Sequence, residues 1–405
     1  MEKAGGNRRR ILFLTPQLPF PPEQGAAIRN YNLIRHAARR HRVALLSFVE
    51  GPPRDLGPLA KIFALPLSFS GRSETPLDRL RTLVTRRDPH QDHRPRSPEY
   101  GHALRVLLAE RAFDVVQVEG IELAPYALMM RRWSANRTPV LVYDAHNAEY
   151  LLQRRAFEAD VYSPRRWAGA LYSWVQWRRL ARFERRVLDE VDRRVAVSQA
   201  DAEALRELGP HGAIAVIPNG VDVDRYHPNL ADSLPLRHPA IVFTGKMSFR
   251  PNVDGVLWFH SQVWPRVKRE CPGAVLYVVG KEPHPRLAAL RGKPDVVLTG
   301  YVEDILPYFG GADVYIVPLL VGGGTRLKVL EAMAAGLPVV STSMGTEGIP
   351  LEPGRHALLA DGASDFAAAA LSLLANASQR ATMGTAARRF AVEHYDWRRI
   401  APKLE

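Results

Sequence analysis

The 405-residue sequence holds one cysteine, Cys271. A lone thiol can close no intramolecular disulfide and build no multi-cysteine zinc or iron–sulfur centre, and it fits a reducing, cytoplasmic setting. Long apolar runs are missing as well. The first of them, Ile11 to Leu14 behind the basic MEKAGGNRRR, stops after four residues at Thr15 and Pro16, short of a signal peptide's apolar stretch. Nothing approaches the roughly 18 to 20 apolar residues that span a bilayer, so any membrane contact is expected to be peripheral, at the inner face. No internal repeat of about 20 to 50 residues recurs, which disfavours a solenoid or propeller.

What the chain has in excess is positive charge, a net +13. Such a surface attracts nucleotide diphosphates, anionic lipid headgroups or nucleic acid. No nucleic-acid recognition module is present, so nucleic acid is not expected as a partner. The hydrophobic fraction, 46%, is ample for two domains with separate cores.

Short runs of Val, Ile and Leu alternate with helical periodicity, the pattern of βαβ units around parallel sheets. The runs predict strands near residues 11–14, 43–48, 114–118, 140–143, 194–197 and 213–217. A second set falls near 240–244, 275–279, 296–298, 314–318, 339–341 and 357–360. The stretch PNGVDVDRYHPNLADSLPLRHP, rich in Pro, Asn and Asp, reads as a linker. The expected organisation is therefore an N-terminal Rossmann-like domain over 1–217, a linker over 218–239, a C-terminal Rossmann-like domain over 240–390, and a segment over 391–405 returning to the first domain.

Open parallel sheets bind ligands beyond the carboxyl ends of their strands. After the strand at 314–318 comes LLVGGGTRLKVLEAMAAGLPVVST, in which Gly322, Gly323 and Gly324 let a ligand approach the backbone and a helix starting near Thr325 directs N–H groups at it. Glu331 on that helix suits a vicinal diol such as a ribose, Lys328 adds charge, and Gly336 closes the helix. An ordinary strand–loop–helix turn with a solvated Glu would read the same way. After the strand at 240–244, Lys246 and Arg250 flank a loop into a helix near Asn252, where two cations suit a diphosphate as well as they suit solvent. In the first half, DAHNAEY places His146 just after a strand, and Gly25 precedes an amphipathic helix carrying Ile28, Tyr31, Ile34 and Ala38.

Other patterns point to structure more than chemistry. Asp222 and Asp224 have the DxD spacing of metal-binding sugar transferases but lie beside Asn219-Gly220, and turn and capping roles are expected. His90 and His93 sit in a polar run without partners in sequence. The sequon Asn376-Ala-Ser378 has no secretory context. The helical stretch Ser163 to Arg194 carries Trp167, Leu171 and Trp174 on one side among many arginines; packing of that stripe on the sheet is the favoured reading, an anionic membrane surface the other.

Four segments in order, VAVSQADAEALRELG, IPNGVDVDRYHP, FTGKMSFRPNVDGVLWF and GGGTRLKVLEAMAAGLPVVST, make the whole chain resemble the retaining glycosyltransferases of family four, bacterial polysaccharide and glycolipid enzymes of the GT-B fold. The resemblance implies an α/β fold of two Rossmann-like domains facing each other across a donor-binding cleft. It implies Glu331 on the donor ribose, and the diphosphate on the loop and helix start, Gly323, Gly324, Thr325, Arg326, Leu327 and Lys328. It also implies donor contacts from His146 and from the loop at Gly25, with Lys246 and Arg250 neutralising the leaving group. The partners implied are a nucleotide-sugar donor and a carbohydrate or lipid-linked acceptor, with no separate cofactor and no metal. Two departures stand out: Gly323 occupies the place of a Glu the family often carries eight positions before the ribose-binding one, and Lys246 with Pro251 replaces an Arg/Lys pair. A nucleotide-sugar epimerase and a catalytically weak donor-binding scaffold stay open as alternatives.

Overall fold

A computed structural model describes residues 8–50, 56–69, 97–133, 139–161, 167–210, 212–229, 233–281, 283–323 and 325–405. The expectations on His90, His93 and Gly324 fall outside these residues. The chain divides into two compact units, Met1–Pro218 with Ala401–Glu405, and Asn219–Ile400.

The first unit is built on seven strands: β1 (Arg10–Thr15), β2 (Arg42–Glu50), β3 (Phe63–Phe69), β4 (Val115–Glu119), β5 (Val140–Ala145), β6 (Arg193–Ala196) and β7 (Ile214–Val216), in the order β3-β2-β1-β4-β5-β6-β7. All its ladders are parallel. Because β1 is covered on both faces, its central residues Ile11 to Leu14 are apolar without interruption. Leu12 and Leu14 enter one core with Val116 and Tyr143, while Phe13 enters the other with Tyr31, Ile34 and Leu45. Strand β3 was not expected from sequence. Its FALPLSF carries Pro66 mid-run, which has no N–H for a ladder, and an edge position is where a sheet tolerates that.

The second unit holds β8 (Ala240–Thr244), β9 (Val275–Val279), β10 (Val296–Gly300), β11 (Val314–Val317), β12 (Val339–Ser341) and β13 (Leu358–Leu359), again all parallel, in the order β10-β9-β8-β11-β12-β13. In each sheet the chain winds outward to one edge and then returns to the far side of its first strand. The reversal points, between β1 and β4 and between β8 and β11, are where diverging connections open a crevice at the carboxyl ends.

The stretch read as a linker belongs to the second unit. Val221, Val223, Tyr226 and Leu236 are buried in its core, Val221 N–H donates to Tyr395 O at 2.7 Å, and Arg388 Nη1 donates to Tyr226 O at 2.9 Å. Its apolar residues are too irregularly spaced to show a period, yet each finds a place in the core. The return to the first unit likewise starts at Ala401 rather than at 391, since Ala391 and Tyr395 belong to the second unit's core. Asn376 of the sequon accepts from Gln379 N–H at 2.9 Å and caps the helix Ala377–Tyr395.

The helix Leu327–Ala334 ends as its sequence predicts. Gly336, at φ 76°, donates to Met333 O and Leu337 to Ala332 O, both at 3.0 Å, a Schellman closure. Gly384, inside the helix Ala377–Tyr395, packs directly on that closure: a Cβ there would overlap the Gly336 carbonyl oxygen. Gly to Ala in a helix normally stabilises by up to about 1 kcal/mol. Here Gly384→Ala is expected to destabilise by roughly 1 to 3 kcal/mol through overpacking, measured by urea unfolding.

Candidate functional site

In the second unit the candidate residues gather at the ends of β8 and β11. The helix Leu327–Ala334 begins two residues later than expected, without a side-chain cap and without an acidic residue in its first turn, and the first N–H groups of a helix are the ones that anions bind. Arg326 folds back to donate from Nη1 to Gly323 O, and a Cβ at Gly322 would strike the Arg326 guanidinium. The glycine is thus needed for that side chain to lie across the loop.

Lys328 differs from its expected role as a plain added charge. Its Nζ donates to Thr244 O at 2.7 Å and to Asn252 Oδ1 at 2.8 Å, 4.2 Å from the centre of the Phe243 ring. Burial, assisted by Arg326 and opposed by Glu331, lowers its pKa to about 7. A neutral amine has two N–H bonds, one for each acceptor. Gly245 makes room, since a Cβ there would lie 2.7 Å from Nζ. Lys328 therefore ties the end of β8 to the helix that follows β11.

Glu331, one turn on, accepts from Tyr226 Oη at 3.1 Å. Burial raises its carboxyl, against Tyr226, Lys328 and Arg225, which favour the charged form. Lys246 is exposed in the loop after β8. Arg250 opens the helix Arg250–Trp258, two residues before the expected start, and its Nε meets Asp254 Oδ2 at 3.3 Å, so part of its charge is already answered. An exposed pair of this kind is worth little and gives way to a stronger anion. Asp222 Oδ1 accepts from the N–H groups of Asp224 and Arg225, and Asp224 meets Arg398 at 3.3 Å, the turn role its sequence suggests. A cavity of about 480 Å³ lined by Arg291, Lys293 and Val296 borders β10, the sheet edge, away from these groups.

In the first unit Glu119 ends β4 and Asp144 lies opposite it on β5. Both are fully buried. Arg29, on the helix Gly25–Arg40, meets Asp144 in a two-pronged pair, Nε to Oδ2 at 3.0 Å and Nη2 to Oδ1 at 3.0 Å, and its Nη1 donates to Ile217 O at 2.9 Å. His146 Nε2 lies 2.9 Å from Glu119 Oε2, and the Asn30 amide, oriented with its nitrogen toward these acceptors, donates to the same oxygen at 2.8 Å and to Ala26 O at 3.3 Å. Glu119 thereby links His146 to Asn30 on the helix Gly25–Arg40. Burial alone would lower the His146 pKa, but the hydrogen bond and charge of Glu119, with the charge of Asp144, outweigh it, and the ring keeps its proton above the ordinary imidazole range. Glu119, Asp144 and His146 form a group of the size that holds a metal ion. The Arg29 guanidinium already supplies a positive charge there.

Two family profiles match this chain, Glycosyl transferases group 1 over residues 238–376 and Glycosyltransferase Family 4 over residues 24–225. The chain belongs to glycosyltransferase family 4. It is 30% identical over 219 residues to the GDP-mannose-dependent alpha-(1-6)-phosphatidylinositol monomannoside mannosyltransferase of Mycobacterium tuberculosis, an alignment covering 49% of this chain and 56% of that one. It is 30% identical over 250 residues, 55% of this chain and 54% of the other, to the D-inositol 3-phosphate glycosyltransferase of Rhodococcus erythropolis. The chain thus spans about half the length of the curated relatives it matches. Sucrose-phosphate synthase from Thermosynechococcus elongatus superposes with a TM-score of 0.73 at 17% identity, covering 98% of this chain and 97% of that one. Anabaena HepE, solved with UDP and glucose, gives 0.66 at 16% identity and 98% of both chains. The two Rossmann-like units are those of the GT-B fold.

Several residues of this chain escaped the sequence reading: Glu119, Arg29 and Asn30 behind His146, and Tyr226 behind Glu331. Arg29 falls on the buried face of an amphipathic helix, where a charge breaks the pattern, and that mismatch was the available signal. Glu119→Gln is expected to lower the pH at which His146 titrates, because the acceptor that favours its charged form is removed while burial remains. The His146 ring signal followed by NMR against pH checks this; an unchanged midpoint contradicts the pairing.

Proposed function

We propose that the protein transfers a sugar from a nucleotide-diphosphate donor to a carbohydrate or lipid-linked acceptor, with retention of the anomeric configuration and without a divalent cation. The observation that carries this reading is the convergence at the β8/β11 reversal: a carboxylate held by Tyr226 for the ribose, an uncapped helix start behind a glycine loop for the diphosphate, and Lys246 and Arg250 beside it. The relatives named for phosphatidylinositol mannosides support a glycolipid acceptor, and HepE bound to UDP and glucose supports a nucleotide-linked donor. Both profiles are of transferases, which leaves the epimerase and scaffold readings without support.

Negative charge grows on the diphosphate as the bond to the sugar breaks, so donors fixed beforehand at that point lower the barrier without reorganising. Lys246, Arg250 and the N–H groups from Thr325 to Lys328 supply them, and this takes the place of a metal. His146, whose pairing with Glu119 favours its protonated form, and the helix start at Gly25 are assigned to the donor's sugar. Asp144 is paired with Arg29 and Glu119 with His146, and entry of the acceptor on the face the diphosphate leaves needs no base behind the sugar.

Glu331→Gln keeps an acceptor for Tyr226 but loses the charge that holds two ribose hydroxyls. Nucleotide affinity is expected to fall about tenfold or more, about 1.5 kcal/mol, with little change in unfolding; unchanged affinity by calorimetry contradicts the ribose assignment. Transfer in excess chelator should continue, and an α-linked donor should give an α-linked product by NMR coupling. Loss of all activity on chelation overturns the metal-free reading, and a β-linked product overturns retention.

A further inference from the structure

The stripe on the helix Trp167–Glu190 does not pack on the sheet. Trp167 is 62% exposed, Leu171 63% and Trp174 38%, while Ala170, Gln176, Leu180, Phe183, Val187 and Leu188 are buried. Continuing the same stripe at helical spacing come Arg178, Arg182 and Arg185, all exposed, with Arg186 alongside. From Trp167 to Arg186 the helix has one acidic residue, Glu184, and it is fully buried. One face thus reads apolar and aromatic over its first two turns and cationic over the next two. The Trp167 indole N–H is tied to Val161 O at 3.0 Å, which sets the ring facing outward, and the Arg178 guanidinium lies 4.8 Å from the centre of the Trp174 ring.

We propose that this face docks on an anionic lipid bilayer, with Trp167, Leu171 and Trp174 set into the headgroup boundary and Arg178, Arg182, Arg185 and Arg186 on lipid phosphates. The inference rests on the glycolipid-acceptor reading above and adds the surface that would bring the enzyme to such an acceptor. Indole rings favour the interface between water and acyl chains, and guanidinium forks match phosphate oxygens in pairs. A protein partner could cover the apolar residues, but four exposed arginines come along this helix before its first exposed acids, Asp189 and Glu190 at its end, and on a chain of net charge +13 that run matches an extended negative surface. No helix among the described residues is long and apolar enough to cross the membrane, so the helix would lie in its plane. Position supports the assignment. Glu184, on this helix, accepts from the N–H groups of Glu149 and Tyr150 at 3.0 and 2.8 Å, just after His146, so the docking face and the candidate site share a fixed element.

The test is flotation of the full chain with phosphatidylglycerol-containing vesicles and with pure phosphatidylcholine vesicles. Binding is expected to the first and not the second, with tryptophan emission quenched by brominated acyl chains. Leu171→Glu with Trp174→Glu, and separately Arg182→Gln with Arg185→Gln and Arg186→Gln, should each lower partition at least tenfold, the arginine variant also losing salt dependence. Both should bind nucleotide as the parent does, since no substituted residue touches that site. Equal binding to both vesicles, no binding to either, unchanged partition in the variants, or a dimer that the first variant dissolves would each overturn the proposal. The two readings fail separately: vesicle binding without sugar transfer removes the proposed function, whereas transfer to a soluble acceptor without vesicle binding removes the docking face alone.

Discussion

Parallel pairing is the constraint from which the rest follows. When every strand of a sheet runs the same way, all carboxyl ends meet one edge, and the helices that return the chain begin there with unpaired N–H groups. A reversal in strand order then separates two neighbouring connections and leaves space between them. Both units of this chain are wound this way, and the groups with chemistry to offer, Glu119 and His146 in one, Lys246 and Glu331 in the other, emerge at or just past those ends. The fold does not make the residues reactive; it delivers unlike charges and open N–H groups to one edge.

Charge brought to that edge must survive burial, and the two units solve this differently. In the first, opposite charges are matched: Arg29 with Asp144, His146 with Glu119. In the second, Lys328 is held near the point of losing its proton, with backbone and amide oxygens as acceptors instead of a carboxylate. Glu184 is a third variant, a carboxyl that burial lifts to about 8 although two helix N–H groups favour its charged form. A charged ligand arriving near Lys328 would meet a group able to respond by taking a proton, whereas the Arg29 pair would stay as it is.

Much of this was legible beforehand because parallel strands buried on both faces are unbroken apolar runs. β1, β8 and β9 are of that kind, and so is β11, whose glycine loop and Glu331 followed from chain order. Legibility failed where a residue's partner is distant in sequence. Tyr226 lay inside an apparent linker with nothing to connect it to Glu331, 105 residues on, and Glu119 looked like the last polar residue of a strand until the fold set it against His146. β3 failed through its proline, and the Trp167 stripe because periodicity tells which residues share a face and not which face is covered. The Gly324 assignment lies outside the described residues.

The Arg29–Asp144 pair also limits how such a sequence can drift. Losing one partner strands a buried charge, at a cost of about 3 to 5 kcal/mol, against a total stability of about 5 to 15 kcal/mol. Replacing both with apolar residues of similar volume often costs little. Arg29 also holds the carbonyls of Ile217 and Pro218, which would need new donors. The two-step route from this arrangement to a dry one therefore passes through an intermediate that folds poorly, whichever residue changes first. A population crosses such a valley only by a rare double change or after other substitutions have raised stability, so lineages that begin with the pair are held to it by history as much as by use.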